Sequence, residues 1–114
     1  MIIMKKHHYK IAVIAGDGIG KEVMPEAIRV LEKIAKRYNI SFDFDHKDWS
    51  CERYHQFGSM MPENGLDEIQ NHDSILLGAV GFPGVPDHIS LWGLLIPIRR
   101  KFHQYVNLLS LIHI

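Results

Sequence analysis

Two glycine clusters, a pair of arginines, one cysteine and a scatter of histidines and aspartates are the chemical material of this chain. Gly16-Asp17-Gly18-Ile19-Gly20 follows the apolar run Ile11-Ala12-Val13-Ile14-Ala15. A glycine-rich turn between a strand and a helix lets backbone N–H groups and the positive end of the helix approach a ligand, which is how many dinucleotides and phosphates are held. The Rossmann spacing G-x-G-x-x-G requires glycine where Lys21 stands, and a phosphate loop requires Gly-Lys-Ser/Thr where Gly20-Lys21-Glu22 stands, so both fingerprints fail. Asp17 would also repel a phosphate. Spacing leaves two readings open, a ligand-approaching turn and a tight turn that packs a helix on a sheet.

The second cluster, GAVGFPGVPD, holds three glycines and two prolines in ten residues and is a loop by composition. It follows an apolar run, and the carboxyl end of a strand is where open α/β sheets place ligands; a plain connection is the competing reading. Arg99 and Arg100 can grip carboxylates with their planar forks, whereas two arginines on one helix face are also commonly solvated. The eight histidines include no H-x-x-x-H pair, and His7-His8 sit in a polar leader, so solvated histidines are expected rather than a metal site. Cys51, the single cysteine, can make neither an internal disulfide nor a zinc finger, which suits a reducing compartment.

These groups sit in a chain of 114 residues, 46% hydrophobic, enough for one packed core. Thirteen Lys and Arg balance thirteen Asp and Glu, so the electrostatic footprint of a nucleic-acid binder is missing. The apolar stretch Leu91 to Ile98 is far short of the roughly 20 residues of a membrane-spanning helix. The leader MIIMKKHHYK inverts the order of a signal peptide, and a cytoplasmic location is expected.

The elements that must carry the chemistry follow from periodicity. Tyr9 to Ala15 is continuously apolar at its centre, a strand buried on both faces as in a parallel sheet. From Lys21, residues Val23, Ala27, Ile28, Leu31, Ile34, Ala35 and Tyr38 recur at helical spacing over about five turns. Pro25 either opens that helix or makes its first turn irregular. Asn39 ends it, and Ser41 to Asp45 alternates as a strand with Phe42 and Phe44 on one face. Ser50 caps a short helix from Cys51 to Phe57 that Gly58 stops; a turn at 62–65 precedes a helix around Leu66 to Asn71, and Asp73 to Leu77 gives a third strand. Pro97 can start a further helix with Ile98, Phe102, Tyr105 and Val106 on one face. The pattern is an α/β fold.

Read together, AVIAGDGIGKEVMPEAIRVLE, DSILLGAVGFPG and SLWGLLIPIRRKFHQYVNL resemble the start of the metal-dependent β-decarboxylating dehydrogenases, the isocitrate and isopropylmalate dehydrogenase family. The segment DHISLWGLL with Arg99-Arg100 and Tyr105-Val106-Asn107 looks most like its tartrate and D-malate dehydrogenase branch. The resemblance implies a fold that is not Rossmann yet binds NAD, in a large α/β domain built from both ends of a longer chain. Residues 1–108 would be the opening part of that domain. It implies that Ile19 lies near the nicotinamide, that Gly81, Phe82 and Pro83 run along the cofactor, and that Arg99, Ser90 and Trp92 meet the substrate.

The implied reaction oxidises a 2-hydroxy acid such as tartrate or D-malate by hydride transfer to NAD and decarboxylates it with Mg2+ or Mn2+. Isopropylmalate or isocitrate is the alternative substrate, and a non-catalytic α/β binding module is the alternative class. The resemblance places the catalytic lysine, the tyrosine and the metal-binding aspartates beyond this chain and implies a homodimeric parent enzyme. It gives Asp17, Asp43, Asp45 and Asp48 no metal role, and solvated turns are expected for them. After Val106-Asn107-Leu108 the family has an arginine and a proline where Leu109 and Ser110 stand, so 109–114 reads as an atypical tail. With partners missing, the strands are expected to lack cover and to leave sheet face and edges open.

Overall fold

β1 (His8–Gly16) is the strand made by the apolar run, and its centre is closed from both sides: Ile11, Ala12, Val13 and Ile14 are 8, 0, 1 and 0% exposed. It lies in the middle of a parallel sheet of order β2-β1-β3 in a computed structural model that describes residues 7–104. β2 (Ser41–His46) pairs so that Ile11 faces Phe44, and β3 (Ser74–Ala79) so that Ile11 faces Ser74. Alternate residues of a strand point to opposite faces. Ile11 and Val13 therefore meet Met24, Phe42, Phe44 and Leu76 on one side. Ala12 and Ile14 meet Trp49, Met60, Ile69, Leu94 and Ile98 on the other.

α1 (Ile19–Tyr38) covers the first face. It begins at Ile19 and runs through Pro25, unlike either expected form of its start. The first turn is held from outside: a Cβ on Gly20 would stand 2.1 Å from the Ala15 carbonyl oxygen, so the turn is pressed onto the sheet and survives the missing N–H one turn later. Asn39 closes the helix in the left-handed conformation, φ 55°. Of the expected apolar face, Met24 and Ala35 are buried and Ala27, Ile28 and Leu31 half-buried, but Val23, Ile34 and Tyr38 are exposed, as is Val30. The apolar arc is wider than the surface beneath it.

The second face is covered by α2 (Cys51–Phe57), α3 (Gly65–Ile69) and a long helical run over 87–101. α2 forms as its sequence dictates, with Arg53 N–H donating to Ser50 Oγ at 3.1 Å and Gly58 closing at φ 78°. The last helix differs from expectation. It starts ten residues before Pro97, as α4 (Asp87–Ser90), passes through one π turn (Leu91–Leu95), and continues as α5 (Ile96–Lys101). In the π turn Ile96 N–H reaches back five residues to the Leu91 carbonyl. The wider ring makes room for Pro97, which lacks an N–H and would crowd a regular turn.

Cover is thus complete over the centre of β1 and partial over its neighbours. β2 and β3 are the edge strands among the described residues; β2 alternates between exposed and half-buried residues and β3 is mostly half-buried, with Leu77 39% exposed. Among the described residues no helix is long and apolar enough to cross a membrane. Tyr105, Val106 and the tail 109–114 lie outside the described residues.

Candidate functional site

The two glycine clusters meet because β1 and β3 are adjacent and parallel, which brings their carboxyl ends together. From there α1 departs over one face of the sheet and the helix over 87–101 covers the other. The carboxyl ends of the strands are where open α/β sheets bind ligands. The glycines divide by role. Gly16 is left-handed, φ 83°, and a Cβ there would lie 1.9 Å from the Ala79 carbonyl oxygen; with Gly20 it lets the turns interlock. The tight-turn reading accounts for both. Gly81 is different: it has no positive φ, and a Cβ there would meet nothing within 4 Å. Neither strain nor packing asks for glycine at 81, and the space a side chain would fill is open.

Asp17 is not the solvated turn residue expected. It is 3% exposed. Its Oδ2 accepts from Cys51 N–H at 2.9 Å and from Gly81 N–H at 3.3 Å, its Oδ1 accepts from Glu52 N–H at 3.1 Å, and its own N–H donates to the Ala79 carbonyl at 2.7 Å. One carboxylate therefore ties the first glycine turn to the second and to the start of α2. Burial, reinforced by the Asp17 charge and hydrogen bond, pushes the Cys51 thiol up to about 11, so it stays protonated and unreactive at neutral pH.

Ile19, the first residue of α1, is 64% exposed two positions from Asp17. Gly81, Phe82 and Pro83 form the exposed loop after β3, and the Phe82 ring meets the His55 ring of α2 edge-on at 5.3 Å. These residues, which the resemblance assigns to the cofactor, lie on the two interlocked loops. The residues that the resemblance assigns to the substrate lie elsewhere on the chain, on the run over 87–101. Ser90 is buried, its Oγ donating to the Asp87 carbonyl at 3.1 Å, so its hydroxyl serves its own helix. Trp92 is 56% exposed and its ring lies 5.2 Å from the Arg100 guanidinium. Arg99 is half-buried and lines a cavity of about 330 Å³ along β3 with His72, Asp73, Ile75, Ile98 and Gln104. None of the residues lining that cavity belongs to either glycine loop.

The remaining carboxylates sort by position. Asp43 is exposed but lies on β2, and Asp48 is exposed in the segment after it. Asp45, also on β2, is no solvated turn residue: its Oδ2 pairs with His72 Nε2 at 2.8 Å and with Lys47 Nζ at 3.2 Å. The His72 hydrogen bond chiefly, with help from Lys47, holds its carboxyl below the ordinary value despite the cost of partial burial. The His72 side chain is 3% exposed, which corrects the expectation of solvated histidines; its Nδ1 is buried without a hydrogen-bond partner. Among the described residues no three His, Cys, Asp or Glu side chains come together to hold a metal ion.

The family model for isocitrate/isopropylmalate dehydrogenase matches residues 10–114. The chain belongs to the isocitrate/isopropylmalate dehydrogenase family. It is 50% identical over 107 residues to a tartrate dehydrogenase/decarboxylase of Pseudomonas putida, covering 92% of this chain and 29% of that protein. It is 54% identical over 101 residues to the decarboxylating D-malate dehydrogenase of Escherichia coli K12, covering 87% of this chain and 28% of that protein. A crystal structure of a β-decarboxylating dehydrogenase from Thermococcus kodakarensis matches with a TM-score of 0.63 at 32% identity, over 83% of this chain and 27% of that one. The described residues thus have the α/β fold of part of that dehydrogenase.

In this isocitrate/isopropylmalate dehydrogenase family chain the residues missed by pattern are Asp17, His55 and His72. Each acts on a partner far off in sequence: Asp17 on Cys51 and Gly81, His55 on Phe82, His72 on Asp45. Local spacing carries no signal for such pairs. One cue existed for Asp17, since a charged residue directly after a buried strand needs donors nearby.

Proposed function

We propose that this chain is part of an oxidoreductase that oxidises and decarboxylates a 2-hydroxy acid such as tartrate or D-malate with NAD. The observation that supports it most is the open space at Gly81, next to exposed Phe82 on a loop that Asp17 ties to the turn before exposed Ile19, after the carboxyl ends of β1 and β3. A dinucleotide suits that place: the backbone at 81 admits close approach, and the apolar side chains offer surface for a flat ring. Bound there, the nicotinamide supplies the hydride acceptor. Ile19 and Phe82 orient the ring and exclude water from it, and the interlocked loops keep them in place. Arg99 is given a substrate carboxylate on the resemblance and on its planar fork, its cavity along β3 sharing no residue with the two glycine loops. The divalent ion, Mg2+ or Mn2+, is assigned to residues beyond this chain. The whole enzyme is read as a cytoplasmic homodimer.

A chimera tests the proposal. This chain replaces the matching residues of the Pseudomonas putida tartrate dehydrogenase/decarboxylase, and NAD reduction is followed with D-malate and with tartrate in the presence of Mn2+. Turnover with either acid is the expected result. A chimera that folds cooperatively yet turns over neither acid would reject the substrate class, and isopropylmalate and isocitrate are then assayed as the alternatives. The 114-residue chain by itself is expected to give no NAD reduction.

A further inference from the structure

The loop after β3 is exposed from Gly81 to Gly84, yet it has a fixed point of attachment to the molecule's interior. Gly81 N–H donates to Asp17 Oδ2, the same oxygen that accepts from Cys51 N–H. The other oxygen, Oδ1, accepts from Glu52 N–H. A buried carboxylate that faces three backbone N–H groups is strongly held, because each of those donors would be left without a partner if it moved. α2 adds a second hold one residue further on, where the His55 ring meets Phe82. The loop is thereby set to the same reference as the start of α1, since Asp17 N–H is bonded to Ala79.

We propose that Asp17 is a positioning residue for dinucleotide binding, which rests on the cofactor role given above to Gly81–Pro83. It touches no cofactor atom itself. Its part is to hold the Gly81 backbone at one height relative to Ile19, so that the two loops keep the separation a nicotinamide needs. Losing that hold leaves Phe82 tethered through the His55 ring alone, and a loop that must be ordered on binding weakens the ligand by the cost of ordering it.

The test uses the 114-residue chain with NADH as probe, and the chimera for turnover. In Asp17→Asn one acceptor becomes a donor that faces N–H groups. Amide exchange at Gly81 is expected to rise about tenfold or more, with Val13 and Leu76 unchanged, and the dissociation constant for NADH to rise several-fold. In the chimera the same change should raise KM for NAD several-fold with kcat altered by less than about twofold. Gly81→Pro removes the same bond from the other side and leaves α2 its carboxylate, so it should weaken NADH more than Gly81→Ala does even where Asp17→Asn does not fold. Unchanged exchange at Gly81, exchange that rises equally at Val13, or a freed Gly81 with unaltered NADH affinity would each overturn the proposal. If the unsubstituted chain and chimera bind no NADH, the cofactor role itself fails, and the Gly81 exchange still decides whether Asp17 holds the loop.

Discussion

Gly16 and Gly81 look alike in sequence and differ in what surrounds them. A methyl group at Gly16 would run into the Ala79 carbonyl at 1.9 Å on a left-handed backbone, whereas at Gly81 it would meet nothing within 4 Å. Gly16→Ala should therefore cost about 2 kcal/mol or more in urea unfolding, and Gly81→Ala less than about 0.5 kcal/mol. NADH titration should reverse the order of interest: Gly81→Ala weakens binding although stability is kept. Arg99 carries the other residue-scale prediction. In the chimera Arg99→Ala should lower kcat/KM by roughly tenfold to a hundredfold, the worth of about 1.5–3 kcal/mol for a charge-assisted contact. Unaltered kinetics would show that Arg99 does not meet the substrate.

Asp45 ties β2 to the turn before β3, where His72 stands, and Lys47 extends the link to Glu68 of α3 at 3.8 Å. Because the folded state depresses its pKa, Asp45 binds its proton less readily folded than unfolded. Its contribution is present above the ordinary value of 3.8 and is lost as the pH falls through the lower folded value. Asp45→Asn should thus lower the urea midpoint at pH 6, and the gap to the unsubstituted chain should close as the pH drops below 3.8. A gap that stays constant down to pH 2.5 would remove Asp45 from the acid response. Elements like these were legible where one local cue decides them: Ser50 and Gly58 bound α2, and Asn39 ends α1, as their residue types require. The helix over 87–101 was not legible from Pro97, because the π turn that accommodates the proline is fixed by packing, with Gly93 pressed against Met60 and Leu94 buried in the core.

At the scale of the whole molecule, α1 shows an apolar stripe to solvent beyond its first residue: Val23, Val30, Ile34 and Tyr38 are 47, 59, 41 and 64% exposed. The relatives it matches are longer, this chain spanning 28–29% of them. The isolated chain should accordingly bind a hydrophobic dye and self-associate with rising concentration in sedimentation velocity. Val30→Glu with Ile34→Lys should abolish the association while leaving the circular dichroism unchanged; association that persists would place the sticky surface elsewhere, on the edges of β2 or β3. The half of α1 that faces the sheet was readable from periodicity, and the other half was not, since a helix pattern cannot say which of two apolar flanks has a neighbour in a given chain.

The π turn at Leu91–Leu95 also sets a rotational phase. It takes up one residue more than a regular turn, so everything after it is turned back by about 100° relative to an unbroken α-helix. If the same residues closed into regular geometry, Ile98 would take the direction in which Arg99 now enters the cavity beside β3, and Arg99 would take that in which Arg100 lies over Trp92. Which of two adjacent arginines faces the cavity is decided several residues upstream, by a hydrogen-bond ring that contains neither of them.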